Sequence, residues 1–232
     1  MSISHLVIGT ANFGAEYGYK KKAYSKKKLK EIFDILNKNK INLFDTAHSY
    51  FNSEKILGNN LYKAKIYTKF TLPRKKNSHD IKNHLNNLYK NSQKNLKKNF
   101  IECILIHNTE VFLKKKKKIQ SEIINFFKKL KKEKKIKKFG FSIYSPSELN
   151  KIVKIFIPDV VQVPINILDQ RFLKPNIIRL IKKYNIKIYA RSIFLRGKIL
   201  RDNQFKSKLV NKKIELFKTW CKKKKLIDLK LV

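Results

Sequence analysis

Three apolar runs of this sequence each end on a side chain that can handle a proton. These end residues are an acid, an amine and an imidazole, and a tyrosine follows the acid five residues later: Asp45, Lys69, His107 and Tyr50. Parallel strands that alternate with helices place their carboxyl ends on one face, so the four groups are expected to converge there. A phenol surrounded by an amine, an acid and an imidazole predicts a proton donor tuned for catalysis.

Strand-like and helix-like patterns alternate along almost the whole chain. Seven short apolar runs are typical of strands buried on both faces of a parallel sheet: His5–Gly9, Ile41–Asp45, Lys65–Lys69, Cys103–His107, Lys138–Ser142, Val160–Pro164 and Lys187–Ser192. This alternation favours either a doubly wound sheet or a (β/α)8 barrel. The segment 9–14 lacks the Gly-x-Gly-x-x-Gly turn that a doubly wound nucleotide-binding sheet needs. We therefore predict an α/β fold of the (β/α)8 TIM-barrel type.

The composition limits the class of protein. The chain has 232 residues and a hydrophobic content of 42%, so we expect one folded domain over residues 1–232 and no disordered chain. No apolar run approaches the roughly 20 residues that a membrane-spanning helix needs. The N-terminus does not resemble a signal peptide, and Cys103 and Cys221 do not form a disulfide pattern. A reduced cytoplasmic setting without a membrane partner is expected.

The formal net charge of +40 invites a comparison with nucleic-acid-binding proteins. Only six of the 56 basic residues are arginine, and asparagine and isoleucine are also abundant. We interpret this composition as a nucleotide bias that gives a solvated, lysine-rich surface without a specific nucleic-acid partner. Weak unspecific binding at low salt is expected. A specific nucleic-acid-binding protein stays an alternative, which a steep salt dependence with nanomolar affinity would support.

Eight segments, in order along the chain, resemble motifs of the aldo/keto reductase family. They are Leu-Val-Ile-Gly-Thr-Ala-Asn-Phe-Gly (6–14), Phe-Asp-Thr-Ala-His-Ser-Tyr (44–50), Ser-Glu-Lys-Ile-Leu-Gly (53–58), Thr-Lys-Phe (68–70), Ile-Leu-Ile-His-Asn (104–108), Phe-Gly-Phe-Ser-Ile-Tyr-Ser (139–145), Val-Gln-Val-Pro-Ile-Asn (161–166) and Ala-Arg-Ser-Ile-Phe-Leu-Arg-Gly (190–197). The resemblance implies reduction of an aldehyde or ketone to an alcohol with NADPH or NADH, and without a metal. The sequence of residues 139–197 is similar to that of a bacterial subgroup of the family, whose genes are often found near sugar and surface-polysaccharide genes. Sugar-derived carbonyl compounds are therefore one candidate substrate class.

The resemblance also assigns roles to the four strand-end residues. It implies that Tyr50 is the general acid, that Lys69 lowers the pKa of the phenol from its free value of about 10, and that Asp45 holds Lys69 in place. His107 would orient the carbonyl group. His48 lies in the same loop as Tyr50 and is interpreted as lining of the substrate pocket.

The cofactor-binding residues that the resemblance implies lie on the first, fifth, sixth and seventh strands and in the loop after the seventh: Gly9, Thr10, Ser142, Gln162, Arg191, Ser192, Leu195 and Gly197. Of these, Ser142 and Gln162 match positions that bond the nicotinamide carboxamide. Two positions depart from the family pattern. Ile143 replaces a common asparagine, and Arg191 stands where many members stack an aromatic ring on the nicotinamide, which a guanidinium plane can also do.

The sequence stops before the eighth βα unit and the basic adenosine-phosphate motif of the family. We expect a C-terminally truncated barrel, arising from a decaying gene product, from an incomplete gene prediction, or from a piece that a partner supplies. Unpaired edges on the first and seventh strands would lower stability and promote self-association. Besides the reductase, a catalytically impaired fragment and a non-catalytic binding or regulatory protein on the same fold stay open.

Overall fold

A computed structural model describes residues 6–14, 23–61, 63–74, 78–200, 205 and 207–224. In these segments seven strands form one parallel sheet in sequential order. The strands are β1 (Ile8–Gly9), β2 (Leu43–Asp45), β3 (Lys65–Phe70), β4 (Ile101–Ile106), β5 (Ile136–Ser142), β6 (Val160–Pro164) and β7 (Lys187–Arg191). The seven predicted strands are confirmed, with β6 at its predicted bounds, β4 shifted at both ends and the others shifted by one to three residues at one end. The first predicted strand residue, His5, lies outside the described residues.

Nine α-helices of the described part connect and cover the strands. They are α1 (Ala11–Gly14), α2 (Lys26–Lys38), α3 (Ser53–Asn60), α4 (Ser78–Leu96), α5 (Thr109–Leu113), α6 (Lys117–Lys132), α7 (Pro146–Val153), α8 (Pro175–Lys183) and α9 (Lys208–Lys223). Local sequence explains where several begin. Ser145 and Glu148 form a capping box at α7, with Pro146 in its first turn, and Pro175 opens α8. No helix in the described residues is long and apolar enough to cross a membrane.

The sheet curls, as hydrogen bonds between non-adjacent strands show. The Gln162 amide on β6 donates to Asp45 on β2 at 2.8 Å, and the hydroxyls of Tyr67 on β3 and Tyr189 on β7 lie 2.7 Å apart. Strands four apart in the sheet order can meet in this way only across the interior of a barrel. The predicted TIM-barrel type is therefore confirmed. Within the described residues, β1 and β7 do not pair with each other.

Two hydrophobic layers hold this barrel. A small cluster inside it includes Tyr67, Cys103 and Val160, while a large outer cluster packs the helices against the strands. In the outer layer the rings of Phe127 on α6 and Phe139 on β5 stack at 4.0 Å between centroids. Both cysteines are free and buried, and burial raises the pKa of the Cys103 thiol well above its usual value.

The close approach of β5 and β6 depends on one glycine. Gly140 is paired with Val160, and a Cβ atom at this position would collide with the Val160 carbonyl oxygen. Only glycine therefore permits this spacing. The approach brings Ser142, at the end of β5, into register with Gln162 on β6.

Candidate active site

The structure brings together the four side chains that the strand ends predicted. Asp45 ends β2, Lys69 is the penultimate residue of β3, and His107 directly follows β4. His107 was predicted as the last strand residue, and its backbone N–H still bonds to the carbonyl of Phe70 on β3 at 2.9 Å. Tyr50 lies in the loop between β2 and α3.

That loop is fixed by bonds to the strand beside it. The backbone N–H of Thr46 donates to Tyr67 at 2.8 Å, and that of His48 donates to Lys69 at 3.1 Å. The Tyr50 N–H closes a turn onto Ala47 at 2.9 Å. The loop therefore follows the end of β3, which carries the Tyr50 ring over Lys69.

The Lys69 ammonium is buried and held in one place. The residue is 1% exposed, and Nζ donates to Asp45 Oδ2 at 2.7 Å and to the Thr46 carbonyl at 2.9 Å. An ammonium has three N–H donors, so these bonds leave one. Nζ lies 5.0 Å from the centroid of the Tyr50 ring. A fixed positive charge thus stands beside the phenol.

Asp45 is anchored by residues of β3 and β6 and by Thr10, which directly follows β1. Its Oδ2 accepts from Lys69, its Oδ1 accepts from Gln162 at 2.8 Å, and its carbonyl accepts from both the N–H and the hydroxyl of Thr10, at 2.9 and 3.0 Å. The bond from Gln162 crosses the barrel between residues 117 positions apart in sequence. The acid can therefore orient Lys69 without moving.

His107 also contacts the Tyr50 ring. Its ring meets that of Tyr50 edge to face, with 5.9 Å between centroids, and its Nδ1 lies 3.4 Å from the Ser49 hydroxyl. Burial, aided by the nearby charge of Lys69, lowers the pKa of His107 from 6.5 to about 4, so the ring is neutral near pH 7. When the Ser49 hydroxyl donates to Nδ1, the ring proton is on Nε2, which can then donate a hydrogen bond.

The residues predicted to bind the nicotinamide also lie at this end of the barrel. The Ser142 hydroxyl donates to the Gln162 Oε1 at 3.4 Å, and both side chains are buried. Gly9 is paired with Asp45 in the β1–β2 register, and a Cβ atom there would meet none of the described residues within 4 Å. The buried Thr10 hydroxyl is bonded to the main chain of Asp45. Open space therefore lies beside the buried polar groups.

Arg191 ends β7 and reaches across the end of β6. Its Nη2 donates to the carbonyl of Ile143 at 3.3 Å, its Nη1 donates to the Ser192 hydroxyl at 3.4 Å, and its guanidinium lies 4.2 Å from the ring centroid of Tyr144. Ile143 stands where the family pattern has an asparagine. Its side chain is completely buried, and its main-chain carbonyl accepts the bond from Arg191.

The loop after β7 has an unusual backbone. Ser192, Leu195 and Gly197 have φ angles of 59°, 50° and 85°, in the left-handed region. That region is costly for residues with a side chain, so serine and leucine are held there by the fold. Two short turns support the loop, from Leu195 N–H to Ser192 and from Gly197 N–H to Phe194.

Three contributors to this site were not predicted from the sequence. Thr46 accepts from Lys69 through its main-chain carbonyl, and Ser49 bonds to His107, although both lie within the motif 44–50. Tyr144 supplies the face on which Arg191 stacks. For Ser49 the proximity to Tyr50 was the only available signal. His48 is partly buried and fixed through its backbone, and its role in lining a pocket stays a prediction.

A cleft lies apart from these four side chains. It has a volume of about 310 Å³, lies near the start of β3, and is lined by apolar groups, asparagines and Lys63. Within the described residues, no three histidine, cysteine, aspartate or glutamate side chains form a group that could hold a metal ion.

Comparison with known proteins agrees with the geometry. The chain matches the model of the aldo/keto reductase family over residues 5–232. No curated protein matches it.

The chain is also similar to solved structures. The glycerol dehydrogenase AKR11B4 of Gluconobacter oxydans is 21% identical over 94% of this chain and 74% of its own, with a TM-score of 0.69. The aldo-keto reductase AKR11C1 of Bacillus halodurans, in its holo form, is 21% identical over 88% of this chain and 66% of its own, with a TM-score of 0.66. An aldo/keto reductase of Klebsiella pneumoniae, solved with NADP and acetate, is 16% identical over 92% and 76%, with a TM-score of 0.65. At these identities the structures support the fold, and the family model covers almost the whole sequence: this chain belongs to the aldo/keto reductase family.

Proposed function

We propose that this chain reduces an aldehyde or ketone to an alcohol with NADPH or NADH, and that Tyr50 donates the proton to the carbonyl oxygen. The observation that carries the proposal is the buried Lys69–Asp45 pair, with Nζ 5.0 Å from the centre of the Tyr50 ring and the neutral His107 ring in edge-to-face contact with that ring. Family membership supports carbonyl reduction in general, and the arrangement supports these roles for the side chains.

The groups around Tyr50 suit a nicotinamide and a carbonyl substrate. Gly9 leaves the space beside Asp45 open, and the buried amide and hydroxyl of Gln162 and Ser142 can bond a carboxamide. When bound, the cofactor supplies a hydride to the carbonyl carbon. The left-handed loop over 192–197 would hold the pyrophosphate, as loops after strand seven do in such barrels. The NADP complex of the Klebsiella pneumoniae relative supports this type of cofactor.

Tyr50 and its neighbours would handle the proton. As negative charge develops on the carbonyl oxygen, the Tyr50 hydroxyl donates its proton to that oxygen. The Lys69 ammonium stabilises the phenolate that remains, because a positive charge in a buried site interacts strongly with a nearby anion. His107 donates a hydrogen bond from Nε2 to the same oxygen and so orients the substrate. Asp45 and Gln162 keep the ammonium in position.

Two measurements test this proposal. Calorimetric titration with NADPH and with NADH should show binding of at least one of them. Turnover of a panel of small aldehydes and ketones, including sugar-derived ones, should then fall about 100-fold or more in Tyr50→Phe, because general acid catalysis contributes about 10²–10⁴. The matched control is Tyr184→Phe at the end of α8, which should leave turnover unchanged.

The outcomes separate the proposal from its rivals. Equal turnover in wild type and Tyr50→Phe would exclude the assigned proton donor. Cofactor binding without any turnover would instead indicate a binding or regulatory protein on this fold. If neither cofactor binds, the four groups are a catalytically impaired remnant.

A further inference from the structure

We propose that Arg191 binds an anionic group of the substrate, so that this chain prefers carbonyl compounds that carry a carboxylate or a phosphate. The inference rests on the proposed function and specifies its substrate class. It differs from the expectation that the Arg191 plane only replaces an aromatic ring against the nicotinamide.

The first reason is the position of Arg191. The residue ends β7, in register with Pro164 on β6, and its side chain extends over β6 to the carbonyl of Ile143. Ile143 directly follows Ser142, which is linked through Gln162 to Asp45. The guanidinium therefore lies at the same mouth of the barrel as the four catalytic candidates. Its charge also reaches His107, where it contributes to the lowered pKa.

The second reason is that the Arg191 charge has no ion-pair partner among the described residues. Lys69 and Arg171, two neighbouring cations whose side chains the structure describes, are each paired with an acid, Lys69 with Asp45 at 2.7 Å and Arg171 with Asp169 at 2.8 Å. Within the described segments, no carboxylate lies within 4.0 Å of the Arg191 guanidinium. Asp169, whose pKa is lowered mainly by Arg171 and slightly by Arg191, is bonded by the Nε and Nη2 of Arg171.

The remaining acid close to Tyr144 is also engaged. Glu148 accepts from the backbone N–H groups of Tyr144 and Ser145, at 2.6 and 3.0 Å, as part of the capping box of α7. An arginine at the mouth of the barrel that has no acid partner in the described structure is a site for an external anion.

The third reason is the geometry of the guanidinium. One face is covered by Tyr144, at 4.2 Å from the ring centroid, and the bonds to Ser192 and Ile143 use one N–H on each terminal nitrogen. A guanidinium has five N–H donors, so three stay available in the described structure. Stacking on Tyr144 restricts rotation of the plane, which lowers the entropy lost when an anion binds. A carboxylate or phosphate oxygen pair fits such a fork.

The test compares matched substrates in wild type, Arg191→Gln and Arg179→Gln. Arg179 is exposed on α8, so its substitution removes the same charge outside the barrel mouth. The probes are 4-formylbenzoate against methyl 4-formylbenzoate, and glyceraldehyde 3-phosphate against glyceraldehyde. For each pair, the ratio of kcat/KM for the charged over the neutral compound is measured. We expect Arg191→Gln to lower at least one ratio about 10- to 100-fold, as charge-assisted hydrogen bonds are lost. Arg179→Gln should leave both ratios unchanged.

The pair with the larger change identifies the preferred anion. If Arg191→Gln changes charged and neutral substrates equally, or weakens only the binding of NADPH and NADH, the inference is overturned and Arg191 serves the cofactor.

A binding measurement separates failure of this inference from failure of the proposed function. Benzoate and its neutral analogue benzamide are titrated by calorimetry into the same three proteins, whether or not they turn over. We expect Arg191→Gln to weaken benzoate binding at least about 10-fold and to leave benzamide unaffected. Loss of selective benzoate binding in Arg191→Gln without any turnover in wild type would keep the anion site and reject the reductase. Normal turnover in wild type, together with benzoate binding that does not depend on Arg191, would keep the reductase and reject the anion site.

Discussion

The pair of Lys69 and Asp45 should be among the most strongly coupled pairs in the described structure. Its members differ in exposure, at 2% of the Lys69 side chain and 17% of the Asp45 side chain. Removal of one partner from a buried pair typically costs about 3–5 kcal/mol, because the other charge is left in the interior. Asp45→Asn leaves the buried ammonium without an anion, so its cost should fall in this range.

Lys69→Met should cost less, about 1–3 kcal/mol. The Asp45 carboxylate that remains is partly exposed and still accepts from Gln162 at 2.8 Å. The double variant contains neither charge, so its loss should be smaller than the sum of the single losses by about 2 kcal/mol or more.

Urea unfolding at pH 7 and one fixed protein concentration measures these differences as changes in the free energy of unfolding. The exposed pair Lys28–Glu31 provides a matched control, because its side chains are 55% and 47% exposed at a separation of 3.0 Å. Lys28→Met and Glu31→Gln should each change stability by no more than about 0.5 kcal/mol. Two results would show that the buried pair is not strongly coupled. In one, the stability losses of Asp45→Asn and Lys69→Met sum to that of the double variant within about 0.5 kcal/mol. In the other, each of these losses is as small as the losses of the surface variants.

Two further predictions concern pH and packing. The pKa of His107 is about 4 in the folded chain, whereas the ordinary value of 6.5 applies to the unfolded chain, so the unfolded chain takes up this proton first as the pH falls. The stability that the neutral ring contributes above pH 6.5 should therefore be lost between pH 6.5 and 4, by about 3 kcal/mol, and His107→Asn should flatten this slope in pH-dependent urea unfolding. A slope that is identical in both proteins would show that His107 titrates normally. Gly140→Ala should lower the free energy of unfolding by about 3 kcal/mol, because a Cβ atom collides with the Val160 carbonyl. In Gly9→Ala a Cβ atom meets none of the described residues, so the free energy of unfolding should change by no more than about 0.5 kcal/mol. Thermal melts compare the two variants. Equal melting temperatures for the two alanine variants would contradict the β5–β6 spacing described here.

The strand ends could be predicted because the relevant information is local. Buried parallel strands are short apolar runs, and the residue after each run is readable from the sequence. Asp45, Lys69 and His107 were found in this way, and Tyr50 follows from the loop that begins at Asp45. The lysine-rich surface was also readable, and residues 26–28 and 222–224 are indeed exposed.

Contacts that depend on the curvature of the sheet could not be predicted. Gln162 reaches Asp45 only because β6 and β2 face each other across the barrel. The stacking of Arg191 on Tyr144 likewise depends on how far β7 lies from the end of β5. The role of each cofactor residue, the sugar-derived substrate class, the cytoplasmic location and self-association through open strand edges stay predictions.

Transfer of a labelled hydride is the most direct test of whether this chain reduces a carbonyl compound with Tyr50 as the proton donor. The protein is incubated with NADPH or NADH carrying deuterium at the transferable position of the nicotinamide, together with an aldehyde that it accepts, and the alcohol is analysed by mass spectrometry. We expect one deuterium on the former carbonyl carbon in wild type, and formation of this product about 100-fold or more slower in Tyr50→Phe. Unlabelled alcohol, or equal rates in the two proteins, would contradict it.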